Sequence, residues 1–248
     1  MTLSLDGREM TLRTLPLPFK VLATCLLLTL GLAYLFAVGL LYIQDIEPHS
    51  QNGVSMVNSV IIKYYGKRDM TRLEAALEGA MGEYVSPAEK EQIIQWVRQG
   101  AKEAEFANIQ PILESVCGAC HDADSSMGLP PLTTYAGIVE FTSTDQGKSL
   151  LALLRVSHIH LFGMSFIFGL SGLIFAYSQT PLVFRSVLIA VPYMAIWLDI
   201  GSWWFTKYAP LFAYTVIIGG IFMGLALAGQ IGISLYEMWV LRPKREDA

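Results

Sequence analysis

Charge is what this chain most lacks: Asp, Glu, Lys and Arg make up 15% of its 248 residues, while 53% are hydrophobic. An ordinary soluble domain carries about a quarter charged residues, so the composition excludes a wholly water-soluble protein and indicates an integral membrane protein. Basic residues form no block and the net charge is −4, which leaves nucleic-acid binding without support. Cysteine is nearly absent, with residues only at 25, 117 and 120. A disulfide framework cannot be built once two of these have another use, and Cys25, inside an apolar run, reads as a packing residue. Histidine is equally scarce, at 49, 121, 158 and 160, which restricts any site made of imidazoles. The chain holds no second C-x-x-C, no long repeat and no low-complexity segment.

Against that background the stretch Cys117-Gly118-Ala119-Cys120-His121 stands out. Two thiols three positions apart, followed at once by an imidazole, form the C-x-x-C-H pattern of covalent haem attachment. The spacing lets two sulfurs reach two vinyl groups on one porphyrin edge while the next side chain swings beneath the ring to hold the iron. Cys117 and Cys120 would form the thioethers, and His121 would be the proximal ligand. A zinc site needs about four N or S ligands, which the chain does not supply nearby. A dithiol enzyme is expected in a βαβ setting, whereas this motif follows helical patterns. At these residues the chain resembles the membrane-anchored c-type cytochromes. The resemblance covers the motif and about thirty residues around it, and it implies one covalent haem c and electron transfer.

Four apolar stretches are long enough to span a bilayer, which takes about 20 helical residues: 21–43, 150–177, 181–205 and 208–241. The first follows Arg8, Arg13 and Lys20. A cleaved signal peptide would have an apolar region of about 7–15 residues and a small-residue cleavage site; the run here is followed by Gln44-Asp45-Ile46-Glu47-Pro48, so we read a retained anchor. Short basic flanks set orientation. Arg185 lies at the start of the third stretch, beside its short turn from the second, and Arg242, Lys244 and Arg245 follow the fourth. These residues and the amino-terminal cluster place both termini in the cytoplasm. The expected location is the bacterial inner membrane, with the haem domain facing the periplasm, as the resemblance also implies. Trp203, Trp204 and Tyr208 fall where an outer aromatic belt would lie.

Residues 46–149 hold 14 acidic and 8 basic residues and read as the water-exposed domain. Periodicity predicts a short amphipathic helix over 71–81, with Leu73, Ala76, Leu77 and Ala80 on one face. Ser86-Pro87-Ala88-Glu89 combines an N-cap, a first-turn proline and a capping-box glutamate, and predicts a helix running to about 106 with Ile93, Trp96, Val97 and Gly100 on its core face. Residues 111–116 read as a third helix leading into the motif. Gly128-Leu129-Pro130-Pro131-Leu132 cannot be helical, because paired prolines remove donors and restrict the residue before them; it reads as a loop along the haem edge.

A second constellation opens the second span: Arg155, His158 and His160, with Asp199 near the outer end of the third. Residues two apart on a helix point about 200° away from each other, so His158 and His160 cannot hold one iron together. An ionisable residue inside a span is a functional candidate because burying an unpaired charge is costly; pairing of Asp199 with Arg155 or His160 as structural glue is the bland alternative. Three functional readings stay open. A histidine could be the sixth ligand of haem c, His158 first and His160 next, or a thioether could serve instead, from Met127, Met81 or Met56. A b-type haem needs two facing ligands and is poorly provided for, since His49 is the only other histidine. Finally, His160 with Asp199 could accept protons from a quinol.

The expected fold is an all-α integral membrane protein: four transmembrane helices with a small, mainly helical, cytochrome c-like periplasmic domain between helices 1 and 2. The expected domains are 1–45 (cytoplasmic terminus and first helix), 46–149 (haem c domain) and 150–248 (three helices and cytoplasmic tail). The expected function is electron transfer through one haem c to or from a membrane-embedded redox complex, a quinol or a soluble periplasmic cytochrome. The rivals are a quinol-oxidising subunit using His158, His160 and Asp199, and a structural subunit docking a larger complex. Helices two and four are rich in glycine, which lets helices approach closely in lipid, either within the bundle or against a partner.

Overall fold

Long apolar segments satisfy their backbone groups in lipid only as helices or closed barrels. In the computed structural model four helices meet that requirement: Leu17–Ile46, Leu150–Phe175, Leu182–Thr206 and Pro210–Trp239. The structure describes residues 4–5, 8–50, 53–79, 81–122, 124 and 128–241, so Met127, Ala80 and the basic residues Arg242, Lys244 and Arg245 lie outside the described residues. The chain divides into two units, one formed by Met1–Ile46 with Ser149–Ala248 and the other by Glu47–Lys148.

In the first unit, each span begins where its sequence allows. Pro16 precedes the first span and Pro18 sits in its first turn, a place where a missing N–H costs nothing. Ser149 caps the second, its hydroxyl accepting from the Ala152 N–H at 3.2 Å, and Pro181 precedes the third. The third and fourth spans approach closely at Gly219, where a β-carbon would lie 2.9 Å from the Asp199 Cβ; only glycine permits that contact. Gln230, fully buried, accepts from the Ser171 hydroxyl at 2.6 Å and donates to the Leu188 carbonyl at 2.8 Å, joining three spans by one side chain.

One end of the bundle is closed by polar contacts. The Lys20 ammonium donates to the Arg13 and Met238 carbonyls, both at 2.9 Å, so a cation sits on the carboxyl end of the fourth span, where the helix dipole favours it. Glu237, 3% exposed, accepts from the Ser178 hydroxyl and the Gln179 N–H, each at 2.9 Å. The Leu12 N–H donates to the Tyr177 carbonyl at 2.9 Å. The amino-terminal segment, the turn after the second span and the end of the fourth span therefore meet. The first span is the least covered, with 11% of its most apolar window buried, and its outward Leu and Phe side chains require a lipid or protein environment.

The second unit is a cluster of short helices: Met56–Tyr64, Arg72–Glu78, Pro87–Arg98, Glu103–Val116 and Gly118–His121 are its main members. Capping boxes start two of them, Thr71 with Glu74 and Ser86 with Glu89. Their apolar faces enclose Leu73, Ile93, Trp96, Phe106 and Leu113, and Tyr135 packs edge-on against both Trp96 and Phe106. The helix expected from 87 to about 106 ends instead at Arg98. Gly100 (φ 97°) and Ala101 (φ 50°) adopt left-handed backbone, the geometry of a helix stop, and the Ala101 N–H turns back to the Trp96 carbonyl at 3.0 Å. The Trp96 indole locks the reversal by donating to the Lys102 carbonyl at 3.1 Å. The next helix then starts at Glu103 and continues through Pro111 to Val116, so residues 111–116 are its second half and not a separate helix. Apolar periodicity runs unbroken across the reversal, which is why it conceals the stop.

Candidate functional site

Cys117 ends the Glu103–Val116 helix, and the next four residues form one short helical turn, Gly118–His121. Positions 117, 120 and 121 are related as i, i+3 and i+4, so a single turn presents both sulfurs and the imidazole on neighbouring positions of one face. The thiols are free, not joined to each other; Cys117 is half-buried and Cys120 exposed. Cys117 packs against the unit's apolar core, and this burial pushes its thiol pKa up. Dithiol catalysts require the opposite, a thiolate stabilised at ordinary pH.

The loop 128–132 folds back over this turn. The Leu132 N–H donates to the His121 carbonyl at 2.9 Å, and the buried Leu132 side chain anchors the loop in the core. The Pro130 carbonyl thereby comes to lie 2.8 Å from His121 Nδ1. Proline has no N–H and its carbonyl is free to accept, so Nδ1 is the donor and Nε2 keeps its lone pair. A backbone carbonyl on the far ring nitrogen is what orients and sharpens a metal-ligating histidine. Among the described residues no three His, Cys, Asp or Glu side chains converge as a protein-only metal cage. A haem brings its own four nitrogens, and from the protein it needs only two free thiols and one oriented imidazole. These residues fit that group.

The second constellation lies in the other unit. Both His158 and His160 are exposed, and each directs Nδ1 to the carbonyl four residues back, Leu154 at 3.3 Å and Val156 at 2.8 Å. The His160 ring stands edge-on to Trp203, with centroids 5.1 Å apart. Trp203 in turn donates from Nε1 to Asp199 Oδ1 at 3.2 Å. His160 and Asp199 thus contact the same indole. Arg155 is exposed on the helix surface. The aromatic belt is also different from expectation: Trp203 is buried and Trp204 donates to the Ser157 hydroxyl at 3.1 Å, while Tyr208 is exposed. Two participants escape sequence reasoning. Tyr34, on the first span, donates to the Gly220 carbonyl at 3.4 Å, next to Gly219 where the fourth span meets Asp199. Glu237 carries no motif, although a carboxylate two residues before the end of an apolar helix is itself a signal.

Residues 133–246 match a family model described as a transmembrane helical domain. The chain is a membrane protein. The matched stretch contains the second, third and fourth spans but not the C-x-x-C-H turn, and it covers less than half of the chain. No curated protein and no solved structure matches.

Proposed function

We propose that the protein is a membrane-anchored c-type cytochrome of the bacterial inner membrane, exchanging electrons with a membrane-embedded redox complex or a soluble periplasmic cytochrome. The observation that carries this reading is the 2.8 Å contact between His121 Nδ1 and the Pro130 carbonyl, beside two free thiols at attachment spacing. Haem bound there supplies reversible one-electron chemistry at iron. Cys117, half-buried in the core, and Cys120, exposed, would hold the group along one edge by thioethers. Pro130 holds the His121 ring in one tautomer, and Leu132 keeps the loop in place. Beside His121, the second protein ligand to such a haem would be His158, then His160, then Met127, in the order argued from the sequence. The unit Glu47–Lys148 is proposed to face the periplasm, with both termini in the cytoplasm.

The test is direct. Full-length protein, purified in detergent from a host with a cytochrome c maturation system, should give a pyridine haemochrome spectrum of the c type and keep its haem through extraction with acidified organic solvent. Cys117→Ser and Cys120→Ser should each weaken that retention. Complete loss of haem from the unaltered protein into the solvent would refute covalent attachment.

A further inference from the structure

We propose that His160, backed by Trp203 and Asp199, binds a ring hydroxyl of a lipid-soluble hydroquinone. This goes beyond electron transfer at the haem motif and does not require it. Two spans supply it, His160 from the second and Asp199 and Trp203 from the third, and the fourth packs against Asp199 at Gly219. Trp203 lies three residues before the end of its span at Thr206, so the cluster sits near one end of the apolar layer.

The chemistry of His160 selects the ligand. Its Nδ1 is committed as a donor to the Val156 carbonyl at 2.8 Å, so Nε2 of the neutral ring is an acceptor, and the ring is exposed. A ligand for that atom must donate a hydrogen bond. Phosphate oxygens of lipid headgroups are acceptors only and do not suit it; a phenolic hydroxyl does. A group on the surface of a span is reached through lipid, which requires a lipid-soluble carrier of that hydroxyl. Space is available beside it, because a β-carbon at Gly163, one turn along the same face, would meet nothing within 4 Å. The Trp203 indole, edge-on to the His160 ring at 5.1 Å, holds that ring in place. Behind it stands the buried carboxyl of Asp199, 8% exposed and held by the Trp203 N–H at 3.2 Å. Its position favours any positive charge that His160 gains on taking the hydroxyl's proton.

The experiment uses the full chain in phosphatidylcholine nanodiscs and 2-heptyl-4-hydroxyquinoline N-oxide as a fluorescent probe, displaced by decylubiquinol. Saturable quenching, reversed by decylubiquinol, is expected. His160→Ala should weaken both by about tenfold, the worth of one lost hydrogen bond. Phe162→Ala, exposed and about 200° round the helix from His160, should leave them unchanged. Because the His160 ring is exposed the Ala variant should fold, and His160→Gln, which keeps an acceptor oxygen, should retain more affinity than His160→Ala. Quenching that grows without saturation, equal binding by His160→Ala, or displacement by dodecanol as effective as by decylubiquinol would each overturn the proposal. Binding is read whether or not haem is attached, so a haem-free protein that binds, or a haem protein that does not, separates this inference from the proposed function.

Discussion

Replacing the buried Glu74 with Ala should loosen the second unit. The carboxylate is 6% exposed, and its Arg98 partner, at 2.9 Å, is 69% exposed. It accepts from the Thr71 N–H at 2.8 Å and the Thr71 hydroxyl at 2.9 Å, closing the capping box of the Arg72–Glu78 helix. The Arg98 bond is largely open to water and contributes within about 0–1 kcal/mol. The stranding of the Thr71 N–H and hydroxyl, which lose their acceptor, costs more, so the total is about 2–3 kcal/mol. Hydrogen exchange of the full chain in detergent, read on peptides spanning 72–98, should then accelerate by about 30- to 150-fold where exchange follows opening of this unit. Glu74→Gln keeps one acceptor and should cost roughly 1 kcal/mol. Acid should mimic the mutation. Burial opposes ionisation of Glu74, yet the Thr71 N–H and hydroxyl and the Arg98 guanidinium outweigh it and hold its pKa below the ordinary value. A carboxylate with a depressed folded-state pKa contributes stability that is complete above the ordinary glutamate pKa and is lost as pH falls through the depressed value. Exchange in Glu74→Ala that stays within about threefold of the unaltered protein would refute this account of the capping network.

Glu237→Ala should lower the thermal unfolding midpoint of the membrane unit in detergent, by an amount matching about 1–2 kcal/mol, because it strands the Gln179 N–H and the Ser178 hydroxyl; an unchanged midpoint would mean this end is held by other contacts. His158→Ala should convert a low-spin ferric haem spectrum to a high-spin one, while His160→Ala leaves it intact; the reverse pattern exchanges their roles. Protease added to spheroplasts should cut within 47–148 and spare the tail at 242–248, and cleavage of the tail would invert the proposed orientation.

Four spans were legible in the residue order because lipid admits one solution for a long apolar segment, a helix whose backbone bonds are internal. The Ser86-Pro87-Ala88-Glu89 start was equally legible, since a capping box is closed by residues three apart and needs no distant partner. The C-x-x-C-H turn belongs to this local class as well. What the residue order left hidden depends on contacts between distant segments. The helix from Pro87 stops at Arg98 because Gly100 and Ala101 take left-handed backbone and the Trp96 indole finds the Lys102 carbonyl, while the apolar pattern runs on past them. Trp203 reads as an interfacial anchor, yet Asp199 one turn away accepts its N–H and draws it inward, since a buried carboxyl needs a donor. The orientation of His121 rests on Pro130, nine residues on, and that contact exists only because Leu132 is buried and pulls the loop across the motif. Local rules decide which residues begin and end a helix; which nitrogen of a histidine is left free depends on how the whole unit packs.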